Sequence, residues 1–539
     1  MKKAIQRCSF VVLAVFICFA FISRGYGAIN SWGDVQPPNP STWTSDTTAY
    51  IGKDANGGIS VTEGDDIVAH DAYLGYNAGI SGSVTIDGVG SSWSCYRGSL
   101  YVGNSGQGTL AISNGGYVSC WYGYIGNESG SMGGVFVVGE SSSWYCDYRL
   151  SVGCYGEGTL QISHGGSVSC EGALSVGSYG QGTLNISNAG SCNSWEGYIG
   201  KSSGSTGEVS IDGEGSSWNC NYNLYVGFYG QGTLAISNGG NVSCGWGHIG
   251  KHSGSIGEVS VDGEGSRMNC SNVLYIGYEG QGTLEISNGG NVEVGETLQV
   301  GSNGTLNIDS TSKASIGGFL IFKQDSTLTT QEGAKIHMTG ADFQNESTNS
   351  ANLAGLSNLT LIFEGGSEVV DDLEVAGKDE GAVSSAFSVD NFLIGTLQLG
   401  GEAAGRIKLV DDFDNQPGWS GSEALYVSNL IMNAGATIDL NDLNLYYLNG
   451  GSPKQFFNGD ANLDGSVDVS DLGILAGNYG GTGKSWSEGD FDGDLVVDIS
   501  DLGILAGNYG SSTGGAVPEP ATLMLLGLGG LGLLIRKKR

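Results

Sequence analysis

The chain has 539 residues, of which 96 are glycine, 55 are Asp or Glu and only 22 are Lys or Arg, so its net charge is -33 at pH 7. So acidic a surface excludes nucleic acid, and a membrane surface of like charge, as partners held by electrostatics. The length is enough for several domains.

Lys2 and Lys3 precede an apolar stretch from Phe10 to Ile22 and small residues at Gly25 and Gly27. This order reads as a signal peptide over residues 1–28, cut near Gly27 or Ala28, with a retained anchor as the alternative. Export makes disulfides permissible. Residues 29–49, with Trp32 and Trp43, are expected to cover the first coil of the repeat region that begins at Ile51.

Between Ile51 and Gly301 an apolar residue followed by glycine returns at Gly52, Gly75, Gly103, Gly126, Gly153, Gly177, Gly200, Gly227, Gly250, Gly277 and Gly301, in units of 23 to 28 residues. Two flavours alternate over much of the run: a longer one with Gly213 and Ser216-Ser217-Trp218, and a shorter one with Gly232-Thr233-Leu234 and Ser237-Asn238-Gly239-Gly240. A fixed period of this size means one supersecondary unit stacked on copies of itself. Each unit holds about three runs of β-formers separated by turn residues, without helical periodicity. Leu110 and Ile112 point one way and Thr109 and Ala111 the other, as in a strand with one dry face. Residues 29–317 are therefore expected to form an all-β, parallel, right-handed β-solenoid.

The cysteines support the register. Cys95, Cys120, Cys146, Cys170, Cys220, Cys244 and Cys270 share one place at the end of a strand, and Cys192 sits two residues early on the same face. Stacked neighbours fall within disulfide reach, so pairs such as Cys95–Cys120 and Cys244–Cys270 and a ladder of buried thiols both fit. Cys154 lies in a turn. Trp93, Trp144 and Trp218 stand two residues before a cysteine or its equivalent, which puts them in the core rather than on a strip for sugar rings; Trp121 and Trp195 match each other in the next strand.

Nothing in the repeats reads as catalytic. Asp212, Glu214, Asp262 and Glu264 recur with the period at turn-like places, and His164 stands where other coils have Asn. A site would break the symmetry of repetition, and a cleft of carboxylates off the repeat register would favour a polysaccharide lyase or O-glycosyl hydrolase built on the rod. Residues 318–450 lose the strict period but keep strand-like runs at 320–322, 359–363, 396–399 and 443–447. They are expected to form an irregular, β-rich continuation of larger coils that also caps the open end.

Asp460, Asn462, Asp464, Asp468 and Asp471 place oxygen side chains at loop positions 1, 3, 5, 9 and 12, with Ser466 at position 7 and Gly465 at 6. Asp490, Asp492, Asp494, Asp498 and Asp501, with Val496 at position 7, repeat the pattern thirty residues later. A hard cation wants six to eight oxygens, and a tight turn lets one short segment supply them, position 7 through its backbone carbonyl. Both loops run into the same ten residues, at 471–480 and 501–510. Two Ca2+ sites are therefore expected. The second is expected to be weaker and differently turned, because Leu495 replaces glycine at position 6 while Gly493 stands at position 4.

Residues 455–512 resemble a type I dockerin domain, with two such loops each followed by a helix and Asp at position 12. The resemblance implies an α-helical module folded by calcium and docked on a cohesin-like scaffold, often within assemblies that degrade extracellular polysaccharide. Residues 517–539, with Pro518-Glu519-Pro520, the apolar run 521–535 and Arg536-Lys537-Lys538-Arg539, resemble the PEP-CTERM sorting signal. That resemblance implies an exosortase-type processing enzyme, a transient or retained membrane anchor, and a place at the cell surface, outer membrane or extracellular matrix of a Gram-negative-type bacterium. The repeats resemble those shared by PEP-CTERM and autotransporter-type surface proteins, at Gly108-Thr109-Leu110 and Ser113-Asn114-Gly115-Gly116. The chain thus reads as a secreted structural or adhesive rod with a docking module; a subunit of a polysaccharide-degrading assembly and a β-helix enzyme are the alternatives.

Overall fold

The computed structural model describes residues 29–513. Each coil of the repeat region contributes one seven-residue strand, such as Gln107–Ser113, to one sheet, and a bent strand or strand pair, such as Tyr117–Ile125, to the opposing wall. The first sheet has 13 strands, from Ile29–Gly33 to Thr327–Thr330. Beyond the first strand, every pairing within it is parallel and in register, so that Leu110, Val135, Leu160, Leu184, Val209 and Leu234 stand one above another, all buried. The alternation read from Leu110 and Ile112 is the pleat of this sheet.

The two flavours of coil have a packing reason. On the opposite wall Trp93, Val118, Trp144 and Val168 are successive register partners, and further along Cys192, Trp218 and Val242 are. Large residues thus alternate with small ones, which lets a tryptophan fit between neighbours only one strand spacing away. Gly123 and Gly197 complete the fit: a Cβ on Gly197 would come within 2.7 Å of the Trp218 ring. Trp93, Trp144 and Trp218 are fully buried, as their position relative to the cysteines predicts, whereas Trp195 lies half in solvent.

The turns alternate for an electrostatic reason. Asp212 Oδ1 accepts hydrogen bonds from Ser237 Oγ (2.7 Å) and Asn238 Nδ2 (2.6 Å) of the next coil, and Asp262 accepts equivalent bonds from Ser287 and Asn288. The recurring aspartates therefore stitch coil to coil. His164 takes the left-handed backbone of the Asn at the same turn position.

The cysteine ladder is one of thiols. All nine described cysteines are free and buried, including Cys154; Cys120 and Cys146 sulfurs lie 3.3 Å apart and those of Cys244 and Cys270 3.0 Å. Cys192 occupies the tryptophan/valine column, so Ser194 holds the cysteine place in that coil and accepts a bond from Trp218 Nε1 at 3.0 Å. Outside the wall runs an aromatic column that the repeat pattern alone does not single out. Tyr50, Tyr73, Tyr101 and Tyr124 stack with centroids 5.3, 4.5 and 4.9 Å apart, and Tyr198, Tyr225, His248 and Tyr275 stack at 5.0 Å.

At the first end, Ile29–Gly33 runs antiparallel to Gly57–Val61 and Trp43 is buried, as a cap should be. At the other end residues 318–450 continue the rod as less regular coils. Parallel pairing proceeds through Ala334–Met338, Leu359–Phe363, Ile394–Leu399, Glu423–Met432 and Asn444–Tyr447, while the 3-10 segment Ser350–Asn358 packs where the first sheet ends. The cap is the loop-and-helix module. Lys454–Gln455 pairs antiparallel with Tyr446 and Tyr447, and Phe456, Leu475, Trp486 and Leu505 belong to the same apolar core as the rod.

Candidate functional site

Each acidic loop leads into a ten-residue helix: α1, Val469–Asn478, and α2, Ile499–Asn508. Asp468 and Asp498 are the N-caps, each accepting from the N–H two residues on, while Asp471 and Asp501 return the bond from the third helical position. These last two carboxylates also reach back across the loop: Asp471 Oδ1 accepts from Ala461 N at 2.9 Å and Asp501 Oδ1 from Phe491 N at 2.6 Å. Asp460 accepts from Asp464 N and Gly465 N, and Asp490 from Gly493 N and Leu495 N. Positions 1 and 12 of both loops are thereby fully buried and fixed from the backbone.

The two loops have the same turn, contrary to the expectation drawn from Leu495. Positions 4 and 6 are left-handed in both, as Leu463 (φ 53°) and Gly465 (φ 83°) in the first and Gly493 (φ 72°) and Leu495 (φ 70°) in the second. Glycine and leucine have exchanged places, so each loop carries one leucine in a strained backbone and neither is distorted relative to the other.

The residues suit a hard cation. Carboxylate oxygens of Asp490, Asp492 and Asp494 lie within 4.8 Å of one another, and Asp460, Asn462 and Asp464 hold the matching places. With Asp468, Asp471, Asp498 and Asp501 in support and the carbonyls of Ser466 and Val496 at position 7, the donor set is oxygen throughout, the chemistry Ca2+ selects. Burial pushes the Asp460 and Asp490 carboxyls up to about 6, with Asp471 and Asp501 adding repulsion. Raised carboxylates favour the folded state below the unfolded value of about 4 and lose that contribution as pH climbs through about 6. The calcium-free chain is therefore expected to lose module stability between pH 4 and pH 7, and calcium to bind more tightly at pH 7 than at pH 5 because it displaces protons. Thermal melts across this range, with and without calcium, check both signs.

The rod reaches into both loops. Tyr447, on the last parallel strand, donates to Asp460 Oδ2 at 3.3 Å, and Lys454 Nζ to the Leu463 carbonyl at 2.8 Å. Arg406 donates to the Gly493 carbonyl at 2.6 Å. None of these three was legible as a site residue in the sequence.

On the outer face of the helices, Val469 and Ile499 are 66% and 65% exposed, beside exposed Ser470, Gly473 and Gly477 on α1 and Ser500, Gly503 and Gly507 on α2. A Cβ at any of those four glycines would meet nothing within 4 Å. Glycine inside a helix costs about 1 kcal/mol relative to alanine, and nothing in the module's own packing calls for it.

A second site lies off the repeat register, in a place that no sequence motif marks. Asp411, Asp414, Trp419 and Glu423 line a cleft within the segment 411–423, which joins the strands Arg406–Val410 and Glu423–Met432. The run Asp411-Asp412-Phe413-Asp414, within a segment free of repeats, was the signal available.

Comparison with known families identifies the end of the chain. Residues 516–539 match the PEP-CTERM protein-sorting motif. The motif marks the protein as secreted and sorted to the cell surface of a Gram-negative bacterium, with exosortase-type processing and C-terminal anchoring. Pro518, Glu519 and Pro520 fall inside it and, like the signal peptide expected over 1–28, lie outside the described residues. No helix among the described residues is long and apolar enough to cross a membrane. No curated protein matches the chain. Among solved structures, the TibC-catalyzed hyper-glycosylated TibA55-350 fragment is similar at 14% identity and TM-score 0.32, over 56% of this chain and 91% of that one.

Proposed function

We propose that this surface protein is a structural or adhesive rod whose terminal module binds two calcium ions and presents α1 and α2 to a protein partner, as the dockerin resemblance implies. The observation that carries the reading is the duplicated outer face of the helices, with Val469 and Ile499 exposed and four glycines retained against helix propensity. Apolar residues beside a bare backbone give a partner close approach over both helices. Calcium organises that face, because each loop's twelfth residue is also the third residue of its helix. The partner that fits is a cohesin-like scaffold, which would place the rod in an extracellular polysaccharide-degrading assembly. Full-length chain in calcium should retain such a scaffold from the organism's surface proteins, and lose it in chelator and in a Val469→Asp, Ile499→Asp variant. Retention that ignores both changes would sink the docking reading and leave a calcium-stabilised rod.

The acidic cleft at Asp411 and Glu423, with Trp419 beside it, is the observation that favours the second reading, a lyase or hydrolase acting on polysaccharide. Release of reducing or unsaturated sugar ends by the wild type, absent in Glu423→Gln, is its test.

A further inference from the structure

We propose that an aromatic ridge along one corner of the rod is a docking surface for a neutral polysaccharide chain laid along the stack, which gives a ligand to the adhesive reading on which it rests. The corner follows the cysteine place in each coil, where the chain bends from one leg of the wall into the other. It carries Tyr96, Trp121, Tyr148, Trp195 and Tyr222. Tyr96 and Tyr222 are 50% and 46% exposed, Tyr148 and Trp195 both 52%, and Trp121 is partly exposed. The rings meet along the rod: the centroids of Trp121 and Tyr148 are 5.3 Å apart, and those of Trp195 and Tyr222 5.9 Å, with planes 20° from parallel.

The fold does not ask for these rings. In other coils the same corner is Glu171-Gly172, Ser271-Asn272 or Gly295-Glu296, and the strands on either side still pair in parallel. A single exposed aromatic needs no account, but a row of them in contact from coil to coil marks an interaction surface. The corner also holds strain. Arg97 has a left-handed backbone, φ 59°, and its guanidinium lies 5.3 Å from the centre of the Tyr96 ring and 5.9 Å from that of Trp121.

The shape of the ridge chooses the occupant. It is one side chain wide in each coil and recurs along the rod at the strand spacing, about 4.8 Å. A specific protein interface takes about 20–30 residues a side, which a single row does not offer. A glycan chain is itself narrow and repetitive. The axial C–H groups of a pyranose form an apolar face that lies on an aromatic ring, their polarised hydrogens toward its electron-rich face. The hydroxyls at the sugar's edge need donors and acceptors, and these flank the rings. Arg97 stands at Tyr96; Asn221, beside Tyr222, accepts from Asn219 Nδ2 at 3.1 Å, and Asn219 accepts from Ser243 Oγ of the next coil at 2.6 Å, both amides being exposed. The net charge of -33 repels an anionic chain, which leaves a neutral one.

Affinity electrophoresis of the full-length chain in calcium, through native gels containing hydroxyethyl cellulose, glucomannan or a soluble mixed-linkage β-glucan, tests the ridge. At least one of these neutral glycans should retard the wild type, and alginate should not. Trp195→Ala, Tyr222→Ala should weaken the retardation about tenfold, as the loss of two ring contacts implies, while Trp195→Phe, Tyr222→Phe keeps it because the ring faces remain. Tyr155→Ala, Tyr179→Ala is the control: its rings are as exposed and stack at 4.7 Å, but stand at another corner of the coil. The Val469→Asp, Ile499→Asp variant should be retarded like the wild type, so failure of the docking module and failure of the ridge read separately. Retardation that survives Trp195→Ala, Tyr222→Ala would leave an adhesive rod but overturn the ridge. No retardation in any of the three gels, retardation by alginate alone, or equal loss in the control would overturn it too, as would capture of a surface protein that depends on Trp195 and Tyr222 while no glycan binds.

Discussion

Valine at Gly200 is expected to break the rod locally, with a loss of about 2–5 kcal/mol when left-handed strain and overpacking are added. Gly200 has φ 67°, and a Cβ there would stand 2.1 Å from the Gln231 carbonyl oxygen of the next coil. The collision is with backbone, which no rotamer change relieves. The same left-handed glycine recurs from Gly52 to Gly277 because each of those coils turns its corner under the next one. Gly204 in the following turn is the control: it also has positive φ, at 80°, but a Cβ there meets nothing within 4 Å. Alanine at Gly204 should cost only the backbone strain, about 1 kcal/mol. Each coil contacts chiefly its neighbours, so the damage in Gly200→Val should appear as a protease-sensitive segment near residues 190–235, with distant coils intact. Limited proteolysis with mass mapping reads this directly. Equal sensitivity of the two variants would show that the recurrent glycine answers to conformation alone.

What could be read in the sequence came from repetition. The columns of Leu110 and Trp144, the burial of the cysteines and the turn role of His164 are each stated many times over by equivalent positions, and one strand's alternation fixes the rest. The tyrosine stack was just as repetitive, but its residues sit on the outer face, where an apolar/polar pattern does not register a partly buried ring. Residues 318–450 lose the sequence period, yet their strand-like runs made them legible as further, less regular coils; strands such as Leu359–Phe363 keep the stack through backbone pairing, which side-chain repetition does not report. The loops were legible as candidate ligand sets because their spacing is set by a turn. Their matching backbone was not, since the exchange of leucine and glycine between positions 4 and 6 hides one conformation behind two sequences. The contacts of Tyr447 and Arg406 with the loops, and the meeting of Asp411 with Glu423, depend on how the last coils stack, and no local pattern encodes that.

Chelation should therefore do more than melt a terminal domain. The module shares its core with the rod and is tied to it at three points: Tyr447 to Asp460, Lys454 to Leu463, and Arg406 to Gly493. An ion held in the native state alone, at one hundred times its dissociation constant, stabilises by about 2.7 kcal/mol, so the two proposed sites would together contribute roughly 5 kcal/mol. Removing that much from the end of the rod raises opening at the last strands by nearly four orders of magnitude, because 1.4 kcal/mol is tenfold. Backbone amides of residues 425–432 and 444–447 should accordingly exchange far faster in chelator, while those of 107–113 and 231–237 keep their rates, the coupling fading along a one-dimensional stack. Tyr447→Phe separates the ion from the tie: it removes the bond to Asp460 but keeps the ring in the core, and should cost about 1 kcal/mol while leaving both ions bound. Hydrogen exchange read by mass spectrometry in calcium and in chelator decides the matter. If the strand at 444–447 is protected equally in both, the module is a passenger on a rod that ends itself; if its protection falls with the ions, calcium closes the stack.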